Sequence, residues 1–173
     1  MMPGEGANIP RIIIGENFFR QINVLETVIE ILQMKLSDFE EPLRVALTDI
    51  IIPSIETNFA QGGRPAWKPL ALPTVVARGW KTGPILHRTG KLYNAVTDPQ
   101  NWTVTKDMVA LTSITSKVKY AGYHQMGAPR ARIPARPYVE YQTEDINMIT
   151  ELFGIWVDDI VDQVWGFGEE GPE

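Results

Sequence analysis

Asn101-Trp102-Thr103-Val104-Thr105-Lys106-Asp107-Met108-Val109-Ala110-Leu111 is the stretch that decides the fold class. Trp102 and Val104 alternate with threonines. Val109 and Leu111 resume a period of two, and Lys106-Asp107 supplies the turn between them. The pattern predicts an antiparallel hairpin within Asn101–Thr115. The other long periodic segments step by three and four, the helical repeat. The expected class is therefore α+β: a small, mostly antiparallel sheet packed with two N-terminal helices and a long C-terminal helix.

Toward the N-terminus, Gly90 to Val96 reads as one or two helical turns with Thr89 as its cap. Gln61 to Pro84 reads as loop, because Gly62-Gly63-Arg64-Pro65-Ala66-Trp67-Lys68-Pro69 is dominated by turn residues. The loop carries Trp67, and Trp80 follows, so it is expected to be docked and not free. Before it, Ile22, Leu25, Ile29, Leu32 and Leu36 form a core-facing stripe on a helix running from Glu16. Ser37-Asp38-Phe39-Glu40 fits a capping box. Leu43, Leu47, Ile50, Ile55 and Phe59 mark a second helix that Pro53 should kink or break.

Toward the C-terminus, Ile133-Pro134-Ala135-Arg136-Pro137-Tyr138 is stiff and extended. Each proline fixes its own φ and restricts the residue before it. A strand is expected at Val139–Tyr141, with Arg136 anchored by a carboxylate or a carbonyl. Such a segment suits a sheet edge or a neighbouring subunit; the alternative is a plain connector. The last helix, from about Glu144 to Trp165, has Thr143 as its cap and Glu144 and Asp145 in its first turn. Its stripe is Ile149, Leu152, Trp156, Ile160 and Val164. The domain organisation read from these signals is a flexible arm over 1–15, one α+β domain over 16–165 and an acidic, disordered tail over 166–173.

The net charge of −5 conceals a segregation. Residues 1–59 carry 4 basic and 9 acidic side chains, residues 60–137 carry 12 and 2, and residues 138–173 carry 0 and 10. Segment charges of −5, +10 and −10 point either to a partner surface or nucleic acid, or to mutual neutralisation within one fold. Arg64, Lys68, Arg130 and Arg132 are the candidate contact cations. No secretion signal and no apolar run of membrane-spanning length is visible, so a soluble protein with no membrane partner is expected.

Catalytic chemistry finds little support. There are no cysteines and only two histidines, His87 and His124, neither in a metal-ligand spacing. No serine-nucleophile elbow or phosphate-binding loop occurs. Asp158, Asp159 and Asp162 share one helix face, whereas two-metal sites need carboxylates converging from several elements. The expectation is no enzyme, no metal and no cofactor. His124 is expected to pack and fix a turn by hydrogen bonding.

Four motifs in order carry a resemblance. They are Gly62-Gly63-Arg64-Pro65-Ala66-Trp67-Lys68-Pro69-Leu70, Ile85-Leu86-His87-Arg88-Thr89-Gly90-Lys91-Leu92, Tyr120-Ala121-Gly122-Tyr123-His124-Gln125-Met126-Gly127 and Ile133-Pro134-Ala135-Arg136-Pro137-Tyr138. Together they resemble the phage virion morphogenesis family of tail completion proteins. The likeness extends over about residues 20–141. It implies a structural virion protein at the neck or tail, assembled in the host cytoplasm. Related neck proteins form rings, commonly of six subunits, against neck, connector or tail-tube proteins and around passing DNA that is held non-specifically at most. Within that expectation Trp67, Arg136 and Tyr138 join the four cations as interface candidates. Gly62, Gly63, Thr89, Gly90, Tyr120, His124, Gln125, Gly127, Pro134 and Pro137 are structural positions. The alternative is a DNA-binding protein that uses the basic 60–137 segment.

Overall fold

The computed structural model describes residues 16–79, 83–112 and 114–166, without the side chains of 16–22, 115, 116 and 166. The expected arm over 1–15, Ile22's place in its stripe, Trp80 and the acidic tail from 167 onward lie outside what is described.

Helix α1 spans Glu16–Lys35. The chain then turns, but not through a capping box. The Ser37 hydroxyl donates to the Met34 carbonyl at 2.7 Å, closing the end of α1. The Asp38 carboxylate accepts the Glu40 amide at 2.9 Å instead. Ser37 is occupied with the preceding helix and has nothing left for the next. Phe39 pins the junction: its amide donates to the Lys106 carbonyl at 2.8 Å, and its ring lies 5.8 Å from Phe153 and 5.4 Å from Trp156.

The second helical run is α2 (Glu40–Ala46), a π-helical turn (Leu47–Ile51) and α3 (Ile52–Gln61). Pro53 does not break it. The wider turn just ahead relieves the clash a proline ring makes with the carbonyl four residues back, and the axis continues. Leu47, Ile50, Ile55 and Phe59 are buried along it, as their spacing predicts.

The connection after α3 contains an unforeseen helix, α4 (Leu72–Ala77). It is too short and too exposed to leave a periodic signal. Helix α5 (Lys91–Thr97) begins at Gly90, whose left-handed φ of 70° makes the turn, and no side chain caps it. Thr89 is therefore not the cap. Strands β1 (Trp102–Thr105) and β2 (Met108–Leu111) pair antiparallel, with Trp102 opposite Leu111 and Thr105 opposite Met108. The hairpin stops at Leu111, short of Thr115, because helix α6 (Ile114–Lys117) turns Ile114 into the core. Helix α7 (Ala121–Met126) follows.

Residues 134–142 form neither helix nor strand and bend at Tyr138 and Val139, so the expected strand at Val139–Tyr141 does not form. Side chains take its backbone groups. The Gln125 Oε1 atom accepts the amides of Tyr138 and Val139 at 3.0 and 3.2 Å, and its Nε2 donates to the Val139 carbonyl at 2.8 Å. Asn58 Nδ2 donates to the Tyr138 and Glu140 carbonyls. A segment satisfied in this way needs no strand partner.

Helix α8 (Thr143–Gly166) is started by Asp145 and not by Thr143: its carboxylate reaches back to the Gln142 amide at 2.8 Å. Ile160 and Val164 are buried, while Ile149, Leu152 and Trp156 are half-buried. The stripe on α1 departs from expectation. Leu25 and Ile29 remain 51% and 45% exposed, and Leu32 and Leu36 are only half-buried. Of residues 23–30 on α1, all but the half-buried Val28 are exposed. Its last turn is held, where Lys35 Nζ donates to Gln163 Oε1 at 2.9 Å.

Candidate functional site

The four motif segments converge on the C-terminal end of α3, around Phe59. Its ring meets Trp67 and Tyr93 edge-on at centroid distances of 5.7 and 5.4 Å and Tyr138 at 6.0 Å. Trp67 Nε1 donates to the Pro137 carbonyl at 2.9 Å. Arg136 donates from Nε and Nη2 to the Lys68 and Pro69 carbonyls, both at 3.1 Å. Its anchor is thus a pair of carbonyls. Arg64 donates to Asn58 Oδ1 at 2.8 Å and to the Ser54 carbonyl at 2.9 Å, and its Nη2 lies 4.0 Å from the Asp145 carboxylate. The Ser54 hydroxyl donates to that carboxylate across the interface between α3 and α8.

This network corrects the interface expectation for several residues. Trp67, Arg136 and Tyr138 are 6%, 5% and 3% exposed within one subunit. They fasten loops to the core and offer no surface. Arg64 is largely taken up by the same task. Lys68, Arg130 and Arg132 are exposed. Two glycines explain the motif spelling. A Cβ on Gly63, at φ 100°, would enter the Trp67 indole. A Cβ on Gly127, at φ 79°, would stand 2.8 Å from the Ala135 amide nitrogen.

His124 acts differently from expectation. Its backbone carbonyl, not its ring, holds the turn by accepting the Arg136 amide at 2.7 Å. Nδ1 is buried with no hydrogen-bond partner among the described residues. Burial, and then the nearby Arg136 charge, push its pKa below the ordinary imidazole value. Tyr120 packs edge-on against its ring. Gln125 is the side chain that organises this turn, through the three bonds given above. His87 stacks on Tyr93 at 4.8 Å and is otherwise exposed. Among the described residues, no group of three His, Asp or Glu side chains could hold a metal, and no helix is long and apolar enough to cross a membrane.

The surface carries two notable features. Val24, Leu25, Ile29 and Met34 on α1, and Ile146, Met148, Ile155 and Trp165 on α8, are large apolar side chains between 45% and 66% exposed. A groove of about 600 Å³ lies between the end of the first motif, the second motif and the last two. Arg78, Arg88, Lys91, Arg132 and Arg136 line it with Leu70, Leu86, Leu92, Ile133 and Pro134, and no carboxylate is among the lining residues.

No curated protein and no solved structure is significantly similar to the chain. Residues 21–158 match the phage virion morphogenesis family, and the match spans all four motifs and most of α1 and α8. The chain belongs to the phage virion morphogenesis family.

Proposed function

We propose that the chain is a structural, non-enzymatic subunit of a ring at the head–tail neck or at the end of the tail, built from copies of itself. Its place is the virion, after assembly in the host cytoplasm, stacked between neck, connector or tail-tube proteins with DNA passing through the channel. The observation that carries this reading is the set of eight large apolar side chains left exposed along α1 and α8. A monomer seldom exposes this many large apolar side chains on its two longest helices without a partner for them. A ring of identical subunits offers such side chains a neighbour to pack against.

The alternative, a DNA-binding protein using residues 60–137, draws on fewer free cations than the sequence suggests. Arg64 and Arg136 are committed to Asn58, Ser54 and the Lys68 and Pro69 carbonyls. Light scattering on the purified protein, with negative-stain imaging, tests the ring. Closed rings of uniform subunit number are the expected result. A strict monomer at all concentrations, with DNA affinity falling steeply in salt, would transfer the role to the alternative.

A further inference from the structure

The groove lined by Arg78, Arg88, Lys91, Arg132 and Arg136 has a polarity that the rest of the fold does not use. Five cations surround it without a single lining carboxylate, over an apolar floor that includes Leu86, Leu92 and Ile133. Arg136 is already bonded to two carbonyls, so the free positive charge belongs to the other four. Arg78 Nε and His124 Nδ1 are buried at this groove with no hydrogen-bond partner among the described residues. A buried guanidinium donor left unpaired is costly, and a carboxylate is the acceptor that fits its planar fork. Leu86 and Arg132, both lining residues, take left-handed φ angles of 62° and 56°. Non-glycine residues held in that region concentrate at ligand-clamping sites.

We propose that this groove receives the acidic segment Phe167-Gly168-Glu169-Glu170-Gly171-Pro172-Glu173 of a second copy of the chain. The segment matches the groove in both respects. It carries three carboxylates for the cationic walls, and Phe167, following Trp165, supplies an aromatic ring for the apolar floor. Glycines beside each group let it bend into a concave site. Duplex DNA matches less well, because its phosphates lie on a convex surface and it brings nothing to an apolar floor.

The donor of the segment is a second copy of the chain. Asp145, near the start of α8, lies against Ser54 in the first turn of α3 and against Arg64 in the loop that follows α3. Near the other end of α8, Gln163 lies against Lys35. The twenty residues between Asp145 and Trp165 rise about 30 Å along the helix. Seven residues, fully extended, reach about 25 Å at most. In the proposed arrangement each subunit gives a tail to one neighbour and receives one from another. That head-to-tail arrangement gives a ring where its rotation closes. The inference rests on the ring reading for its partner, but it is testable apart from it.

The test uses the full chain with its tail reversed in charge (Glu169→Lys, Glu170→Lys and Glu173→Lys), so that the groove is free. A fluorescent peptide of residues 163–173 is titrated in and followed by anisotropy. Saturable binding is expected, weakening as salt rises, and weakened roughly tenfold or more by Arg88→Glu with Lys91→Glu. Both of these side chains are exposed, so the receptor should keep its fold, which circular dichroism checks. A peptide with lysines at positions 169 and 170 should bind the reversed receptor better than the native one. Absence of peptide binding, or binding indifferent to both charge reversals, overturns the inference. So does a receptor that binds a duplex oligonucleotide through Arg88 and Lys91 while ignoring the peptide. Rings that form normally with the reversed tail leave the ring reading standing and remove the tail from its mechanism.

Discussion

The indole of Trp67 donates its N–H to the Pro137 carbonyl at 2.9 Å while its ring stands edge-on to Phe59. One side chain thus fastens the loop after α3 to the extended segment before α8, seventy positions apart. Trp67→Ala should cost about 3–5 kcal/mol in chemical denaturation, the usual range for emptying a buried aromatic site. Trp67→Phe should cost less, since it keeps most of the packing and orphans the Pro137 carbonyl, about 1–3 kcal/mol. Equal stability of the alanine variant and the native chain would mean that the loop is held by something else.

Asp145 gathers three partners at the other junction: the Ser54 hydroxyl, the Gln142 amide and, at 4.0 Å, Arg64. Asp145→Ala removes the acceptor for all of them. The expected loss is about 2–3 kcal/mol. This is below the full cost of breaking a buried ion pair, because Arg64 keeps a quarter of its side chain in solvent and retains its bonds to Ser54 and Asn58. Asp145→Asn keeps one acceptor oxygen and should lose less. The order of the two variants in urea midpoint is the check.

Burial raises the pKa of Tyr93, Tyr138 and Tyr141 and lowers that of His124, and Tyr138 and His124 are the two groups put to the test. Burial raises the Tyr138 pKa from 10.0 to about 12. The folded state thus favours the neutral phenol. That stability is fully present below pH 10 and is lost as pH climbs from 10 toward 12. Tyr138→Phe should flatten this alkaline limb. His124 has a depressed pKa, so its contribution is present above the ordinary imidazole value and is lost as pH falls through the lowered one. Melting temperatures for the native, Tyr138→Phe and His124→Gln chains between pH 4 and 12 measure both limbs.

Leu25 and Ile29 on α1 are exposed in the isolated subunit. Leu25→Asp with Ile29→Asp should leave the monomer fold within about 0.5 kcal/mol of native, as for surface changes generally. The same pair should block assembly, measured as mass in solution. Native-size assemblies from this variant would move the subunit contact elsewhere.

Arg130 and Arg132 are exposed on the basic segment. If contacts between subunits or rings are charge-complementary, assembly should slow and weaken once the Debye length falls below roughly 10 Å. Arg130→Glu with Arg132→Glu should then reduce infectious particles. Assembly indifferent to salt, together with full infectivity of that variant, would leave apolar packing as the adhesive force.

The hairpin with its turn and the long helices were legible in the sequence, because each rests on local periodicity. Trp102 and Val104 alternate, Leu47 through Phe59 step by helical turns, and both patterns are written within a few residues. Caps were misread where one side chain had two local uses: Ser37 closes α1, and Asp145, not Thr143, opens α8. Burial of Trp67 was expected from its chemistry, but its partners were not. Pro137, Phe59 and the carbonyls that hold Arg136 are distant in sequence, and no local pattern records who meets whom. The stripe on α1 shows the same division. Periodicity determined that Leu25 and Ile29 share a face with Leu32. Only the tertiary structure decided that this face is left open, because burial depends on where α8 and the rest of the chain come to lie.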